Sequence, residues 1–233
     1  MGGAVITEAR PEDAARWDAY VMASPHASMF HLFGWRNAIT RVYGYDACYL
    51  MAEQDGGIVG VLPMIDVKSP LLGRNLISTA FTVGGGVAAA DPEVRRMLAE
   101  AARREGEKRK VNYVELRSAQ GDLDGWAVKD SVYAGFEKSF PADEEANLKA
   151  IPRRRRAEVR KGLAAVRDGK LRYSFNSDIE AFYALYAHAM RDHGTPIFPK
   201  KFVYAIMEEF GDKTEILIIR AGDEPVLALL SFH

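Results

Sequence analysis

The chain has 233 residues, of which 48% are hydrophobic and 27% charged, with a net charge of −1. This balance belongs to a folded globular chain; it excludes a disordered polar tract and any overall field that would drive the chain onto nucleic acid. Cys48 is the single cysteine, so an intrachain disulfide and a zinc site built from several thiolates are excluded as well.

In chain order, Ala4–Ala9 reads as a first strand and Pro11–Ala23 as a helix, with Pro11 suited to the first turn and Glu12 and Asp13 to the positive end of its dipole. Phe30–Tyr43 carries Leu32, Trp35, Ile39 and Val42 at helical spacing, with Gly44 placed to end the helix. The apolar runs Ala47–Ala52 and Ile58–Val67 flank Asp55-Gly56-Gly57, a hairpin signal. Leu76–Val83 is a further strand, followed by Gly84-Gly85-Gly86. Asp91 and Pro92 open a charged helix that runs to about Lys110, and Val111–Arg117 is the strand after it. Asp124–Phe140 reads as irregular strand pairs, and Ala142–Asp168 as helix broken near Pro152. Then come a strand at Leu171–Phe175, helices at Asp178–Asp192 and Lys200–Phe210, and a hairpin of Glu215–Ile219 and Val226–Phe232. The order predicts an α/β (α+β) fold with mixed, largely antiparallel sheets.

The two hairpins match one another. Laying Asp55 on Asp223, an offset of 168, places Leu50 on Ile218, Ile58 on Val226 and Leu62 on Leu230. Two helices and a strand precede each hairpin, so a duplicated module is expected. The second copy stops after its hairpin, and the second module is therefore expected to be incomplete. The expected domains are 1–140 for the first module, 141–170 for a basic helical connector and 171–233 for the start of the second. An apolar terminal strand with an open edge is also a surface for self-association, which makes a homodimer through that strand an expectation.

From Arg153 to Arg172 there are nine basic residues against Glu158 and Asp168, a local charge of +7. Arg153, Arg156, Arg160 and Lys161 fall near one helical face, and Arg155 stands beside them. Arginine forks suit bidentate phosphate contacts, so Arg155, Arg156, Arg160 and Lys161 are candidate phosphate ligands. A solvated helix balanced by the acidic Asp143–Glu145 segment is the alternative. The stretch Arg191-Asp192-His193-Gly194-Thr195-Pro196-Ile197-Phe198-Pro199-Lys200 follows a helix and forms a stiff loop. It presents His193 and Thr195 as candidates for orienting or deprotonating an amine, with Gly194, Phe198 and Lys200 as binding candidates. His193 and Gly194 also fit an ordinary helix C-terminus. Trp35, Arg36 and Arg117 complete the candidates; Arg117 ends a strand, where open α/β sheets bind ligands. His26 and His31 have no carboxylate or cysteine at metal-ligand spacing, and no metal is assigned. Neither a Gly-x-Ser-x-Gly elbow, a P-loop nor a Gly-x-Gly-x-x-Gly fingerprint occurs.

Phe30–Met64, the Pro152–Leu163 segment PRRRRAEVRKGL, Phe182–Phe202 and the closing VLALLSF resemble FemAB-like proteins of the GNAT acyltransferase superfamily, above all those encoded beside exosortase and exopolysaccharide clusters. The resemblance spans essentially the whole chain. It implies tandem GNAT-like modules and transfer of an acyl or amino-acyl group to an amine of a peptidoglycan or exopolysaccharide precursor. The donor it implies is aminoacyl-tRNA or acyl-coenzyme A, with no tightly bound cofactor and with tRNA as a partner. The chain lacks the long helical-hairpin insert of the peptidoglycan-bridge transferases, and its first half shows no coenzyme A loop. A catalytically silent GNAT-like binding module in envelope assembly is the alternative. No leader precedes the first strand and no apolar run reaches the roughly 18 residues of a membrane span, so a cytoplasmic location is expected.

Overall fold

The computed structural model describes residues 2–71, 73–118, 123–130, 136 and 138–233. The chain divides into two compact units, Met1–Trp126 with Lys201–Gly211, and Ala127–Lys200 with Asp212–His233. The expected boundaries at 140 and 170 follow the repeat in sequence; compactness divides the chain at Trp126 and gathers a late helix into the first unit.

In the first unit, β1 (Val5–Glu8), β2 (Asp46–Gln54), β3 (Gly57–Ser69), β4 (Gly73–Ser78) and β6 (Val114–Glu115) lie in that order, with the dipeptide strand β5 (Ala88–Ala89) also on β3. Every pairing is antiparallel except β4 with β6. Helices α1 (Ala14–Ala23) and α2 (Phe33–Tyr43) supply Trp17 and Phe33, whose rings pack on Tyr49 of β2. Helix α3 (Pro92–Arg109) packs the other face, setting Val94, Leu98, Ala101 and Ala102 against Cys48, Leu50, Ala52, Leu62 and Met64. The expected cap is present: the Asp91 carboxylate accepts from the Glu93 N–H at 2.7 Å.

Two strands are shorter than their apolar runs. The reading Leu76–Val83 ends at Ser78, because Thr79 and Phe81 adopt positive φ and leave the sheet. Val111–Arg117 contributes only Val114–Glu115. In the stretch read as strand pairs, described residues 123–130, 136 and 138–140 form no strand, and the others lie outside the described residues.

The helix gathered from further along is α7 (Lys200–Phe210). Phe202 and Phe210 place their rings 5.5 and 6.3 Å from that of Trp35, and Glu208 pairs with Arg41 at 3.1 Å. No local pattern links Trp35 to Phe202; shared burial of aromatic surface does.

The second unit holds α4 (Glu144–Ala150), α5 (Arg153–Arg167), α6 (Ile179–Asp192) and the antiparallel sheet β7 (Leu171–Phe175), β8 (Thr214–Ala221), β9 (Glu224–Phe232), in that order. The break between α4 and α5 falls at Ile151-Pro152, as the proline requires. Asp178 caps α6 by accepting from the Ala181 N–H at 2.8 Å. Helix α6 lies against β8 and β9, and α5 runs beside β7.

The hairpins repeat, but at an offset of 167. Ala52 faces Gly60 and Glu53 faces Ile58, with a bulge between; Ile219 faces Leu227 and Arg220 faces Pro225, with a bulge between. Matching Asp55 to Asp223 slips the alignment by one residue, because the left-handed first loop position is Asp55 in one hairpin and Gly222 in the other. One residue exchanges the faces of a strand. In the corrected register Leu50 and Leu62 correspond to Leu217 and Leu229, so the face covered by α3 in the first unit corresponds to the second-unit face that exposes Tyr173, Phe175, Leu227 and Leu229.

Asp66 on β3 is fully buried. Arg74 holds it through Nε at 2.8 Å and Nη2 at 2.5 Å, and Arg109 reaches it at 3.4 Å from the end of α3. Burial alone would raise its carboxyl; the hydrogen bonds and charge of Arg74, aided by Lys68 and Arg109, outweigh that and hold it below the usual carboxylate range. Asp66→Asn is expected to lower the unfolding free energy by about 2–3 kcal/mol, because two arginines lose their shared anion. Equilibrium denaturation of the two chains measures it, and an unchanged midpoint would place the anchor elsewhere.

Candidate functional site

The carboxyl ends of the parallel pair β4 and β6 form the position where an open sheet takes a ligand. Here the chain fills that position itself. Ser78 Oγ accepts from the Arg117 N–H at 2.8 Å, where another backbone bond between the strands would fall. The segment Thr79–Gly86 turns through positive φ at Thr79, Phe81, Gly84 and Gly86. Gly85 lies so close that a Cβ would stand 1.5 Å from Thr79 Oγ1, and a Cβ on Gly86 would stand 3.0 Å from Ser118 backbone. Gly85 and Gly86 thus serve close packing.

His31, considered in the sequence only as a metal ligand, secures this segment. It is 2% exposed. Its Nδ1 accepts from the Ser28 N–H at 3.0 Å, which leaves Nε2–H to donate to the Gly86 carbonyl at 3.1 Å. Burial pushes the imidazole below its ordinary value, against the smaller opposing pull of its bonds to Gly86 and Ser28. The signal available in the sequence was Ser28, three residues before a histidine that ends a one-turn helix. A histidine with a lowered folded pKa stabilises the fold above its unfolded value near 6.5, and that stability is lost as pH falls through the window below it. Stability of the native chain is therefore expected to decline from pH 6.5 toward pH 5 more steeply than that of His31→Gln. Denaturation at successive pH values tests this, and parallel slopes would remove His31 from the pH response.

The first-unit candidates are engaged in the fold. Trp35 is 3% exposed and donates from Nε1 to the Ala80 carbonyl at 3.0 Å. Arg36 lies 5.1 Å over the Phe33 ring. Arg117 donates to Glu115 at 2.7 Å and to the Thr82 carbonyl at 2.8 Å. Cys48 is buried, which pushes its thiol up to about 12 and leaves no thiolate near neutrality.

In the second unit, the basic run forms α5, a helix with no fully buried residue. Arg156 closes the end of α4, donating from Nη2 to the carbonyls of Lys149 at 2.6 Å and Ile151 at 2.9 Å. Lys161 pairs with Glu158 at 3.1 Å. Arg153, Arg154, Arg155 and Arg160 are exposed and have no partner among the described residues. The acidic segment does not balance them: Asp143 caps α4 by accepting from the Ala146 N–H at 2.7 Å, and Glu145 pairs with Lys149 at 2.7 Å.

The loop after α6 has the helix-terminus geometry foreseen as its plainer reading. His193 is the C-cap, Gly194 follows at φ 65°, and the Thr195 N–H returns to the Met190 carbonyl at 3.0 Å. His193 and Thr195 are exposed; Phe198 is held by Tyr183 Oη, which donates to its carbonyl at 3.0 Å. Lys200 pairs with Glu180 at 2.5 Å, with Nζ 5.5 Å from the Tyr183 ring centre. One turn back, His188 Nδ1 meets Asp192 at 3.2 Å while Arg191 meets Nε2 at 3.0 Å. The sequence reading missed this His–Asp pair, although its i, i+4 spacing was available. Among the described residues, no group of three or more His, Cys, Asp or Glu is placed to hold a metal, and no helix is long and apolar enough to cross a membrane.

The fold is like that of FemX, in keeping with the fold that the sequence resemblance implied. The chain is similar to the crystal structure of FemX, with a TM-score of 0.66 and 14% identity over 92% of this chain and 57% of that one. It thus spans little more than half the length of FemX, and at that identity the likeness concerns the fold. A ribosomal-protein-alanine N-acetyltransferase from Brucella melitensis biovar Abortus is similar over 60% of this chain and 100% of its own, with a TM-score of 0.40 and 16% identity. No family model and no curated protein matches the chain.

Proposed function

We propose that the chain is an acyl or amino-acyl transferase acting on an amine of a cell-envelope peptidoglycan or exopolysaccharide precursor, with α5 as its phosphate-binding element. The observation that carries this reading is the set of exposed, unpartnered arginines Arg153, Arg154, Arg155 and Arg160 on a fold shared with FemX. Like charges held together without counter-ions are an arrangement that a multiply charged ligand relieves.

In this reading the acceptor amine attacks the carbonyl of an activated ester or thioester. The C–N bond forms as the tRNA hydroxyl or coenzyme A thiol leaves, and the amine proton passes to solvent or to the leaving group. Backbone N–H groups at a splayed strand hold the developing oxyanion. His193 and Thr195 orient the amine, and Gly194, Phe198 and Lys200 shape the loop that presents them. The donor is aminoacyl-tRNA or acyl-coenzyme A, bound transiently. Packing of Gly85 and Gly86 into the β4–β6 crevice supports placing the donor outside the first unit.

Arg155→Ala with Arg160→Ala is expected to weaken pyrophosphate binding about tenfold, equivalent to about 1.4 kcal/mol, with the melting temperature unchanged because neither side chain has a folded-state partner. Calorimetric titration measures the first and thermal melting the second. Undiminished affinity would take the clamp away from α5. The reaction itself is tested by incubating the chain with aminoacyl-tRNA or acyl-coenzyme A and amine-bearing precursors, and following acyl transfer by mass.

A second reading, a catalytically silent binding module, is favoured by β9. This strand ends the sheet and exposes Val226, Leu227 and Leu229. An apolar edge of this kind pairs with its own copy in antiparallel fashion. Sedimentation velocity is expected to show a dimer that Leu227→Lys with Leu229→Lys converts to monomer. A native chain that is monomeric at every concentration would remove self-association through β9.

A further inference from the structure

We infer that α5 is a membrane-surface helix, whose arginines bind the headgroup phosphates of anionic lipids while an aliphatic stripe between them enters the interface. The inference deepens the phosphate-binding reading of α5 and rests on it.

Val159 and Leu163 stand four residues apart on one side of α5, 38% and 46% exposed. On a helix of 3.6 residues per turn, Arg155 falls on one flank of that stripe and Arg160 and Arg167 on the other. An aliphatic stripe bordered on both sides by arginines is the pattern of a helix lying in the plane of a bilayer interface. The charge complements an anionic surface: apart from Glu158, every charged residue of α5 is basic.

A second apolar group stands beside the same region. Phe140 is 79% exposed. Its segment is tied to α4, where Asn147 Nδ2 donates to the Pro141 carbonyl at 2.6 Å and Lys138 Nζ donates to the Ala150 carbonyl at 3.3 Å. Ala150 lies three residues before Arg153, so the segment that carries Phe140 is bonded to the helix that ends just before α5 begins. Nucleic acid would use the arginines equally well. It offers nothing to Val159 and Leu163, which have no ring to stack on a base, whereas an interface takes up both aliphatic groups and the phenyl ring.

The test is co-sedimentation of the chain with vesicles of pure phosphatidylcholine and with vesicles containing phosphatidylglycerol, beside calorimetric titration with pyrophosphate and with unfractionated tRNA. The expected result is binding at least tenfold tighter to the phosphatidylglycerol vesicles. Val159→Gln with Leu163→Gln is expected to weaken it at least tenfold, while circular dichroism confirms an unchanged helix content. Vesicle binding that this variant leaves intact would overturn the interfacial stripe. Pyrophosphate binding without vesicle binding would overturn the lipid inference and leave the clamp standing; loss of both would remove the two together. Binding of tRNA without vesicles would overturn it in favour of a nucleic-acid surface.

Discussion

Gly60 carries no side chain, and α3 sits where that side chain would be. A Cβ there would stand 2.7 Å from a Val94 methyl and 3.0 Å from a Leu98 methyl, so the space of the missing side chain is taken by the apolar side chains of the helix. The rest of the first unit follows from that seat. It brings Arg109 within reach of buried Asp66, and it returns the chain so that β6 can pair in parallel with β4. The parallel pair creates the crevice that the segment Thr79–Gly86 then fills, with His31 bonded to the carbonyl of its last glycine. A functional reading of the first unit therefore begins with packing: its Trp35 and Arg117 are bonded within the fold.

The second unit reuses the hairpin without that constraint. Its counterpart of Gly60 is Leu227, whose side chain is 46% exposed. The same strand pair thus serves a two-sided core in one unit and leaves one apolar face open in the other. Burial, rather than the hairpin itself, distinguishes them.

The proposed phosphate binding rests on an imbalance of charge. Several arginines elsewhere meet a carboxylate: Arg74 and Arg109 meet Asp66, Arg41 meets Glu208 and Arg220 meets Asp178. On α5, Arg153, Arg154, Arg155, Arg160 and Arg167 have no such partner among the described residues. Exposed ion pairs contribute little to stability, so leaving these arginines without partners costs the fold almost nothing. It leaves them available to a polyanion, and the exposed Val159 and Leu163 between them are what lead to the proposal of a lipid surface.

Much of this was legible in the sequence, because it is local. The Asp91 cap, the break at Pro152, the helix Lys200–Phe210 and the basic face of α5 follow from residues a few positions apart. The mixed, largely antiparallel α/β fold, like that of FemX, was legible from longer segments through their element order. What the sequence could not decide depended on contacts between distant residues. The hairpin register moved by one because loop conformation, not residue identity, aligns the repeats. Arg156 became a clamp on carbonyls while Arg155 beside it stayed unpartnered, a difference set by where α4 ends. His31 acquired its role through Gly86, which lies 55 residues away. Residue types and spacing therefore determined the elements and the chemistry available to them; only the tertiary structure decided which of those groups remain free to act, because burial and pairing belong to the packed chain.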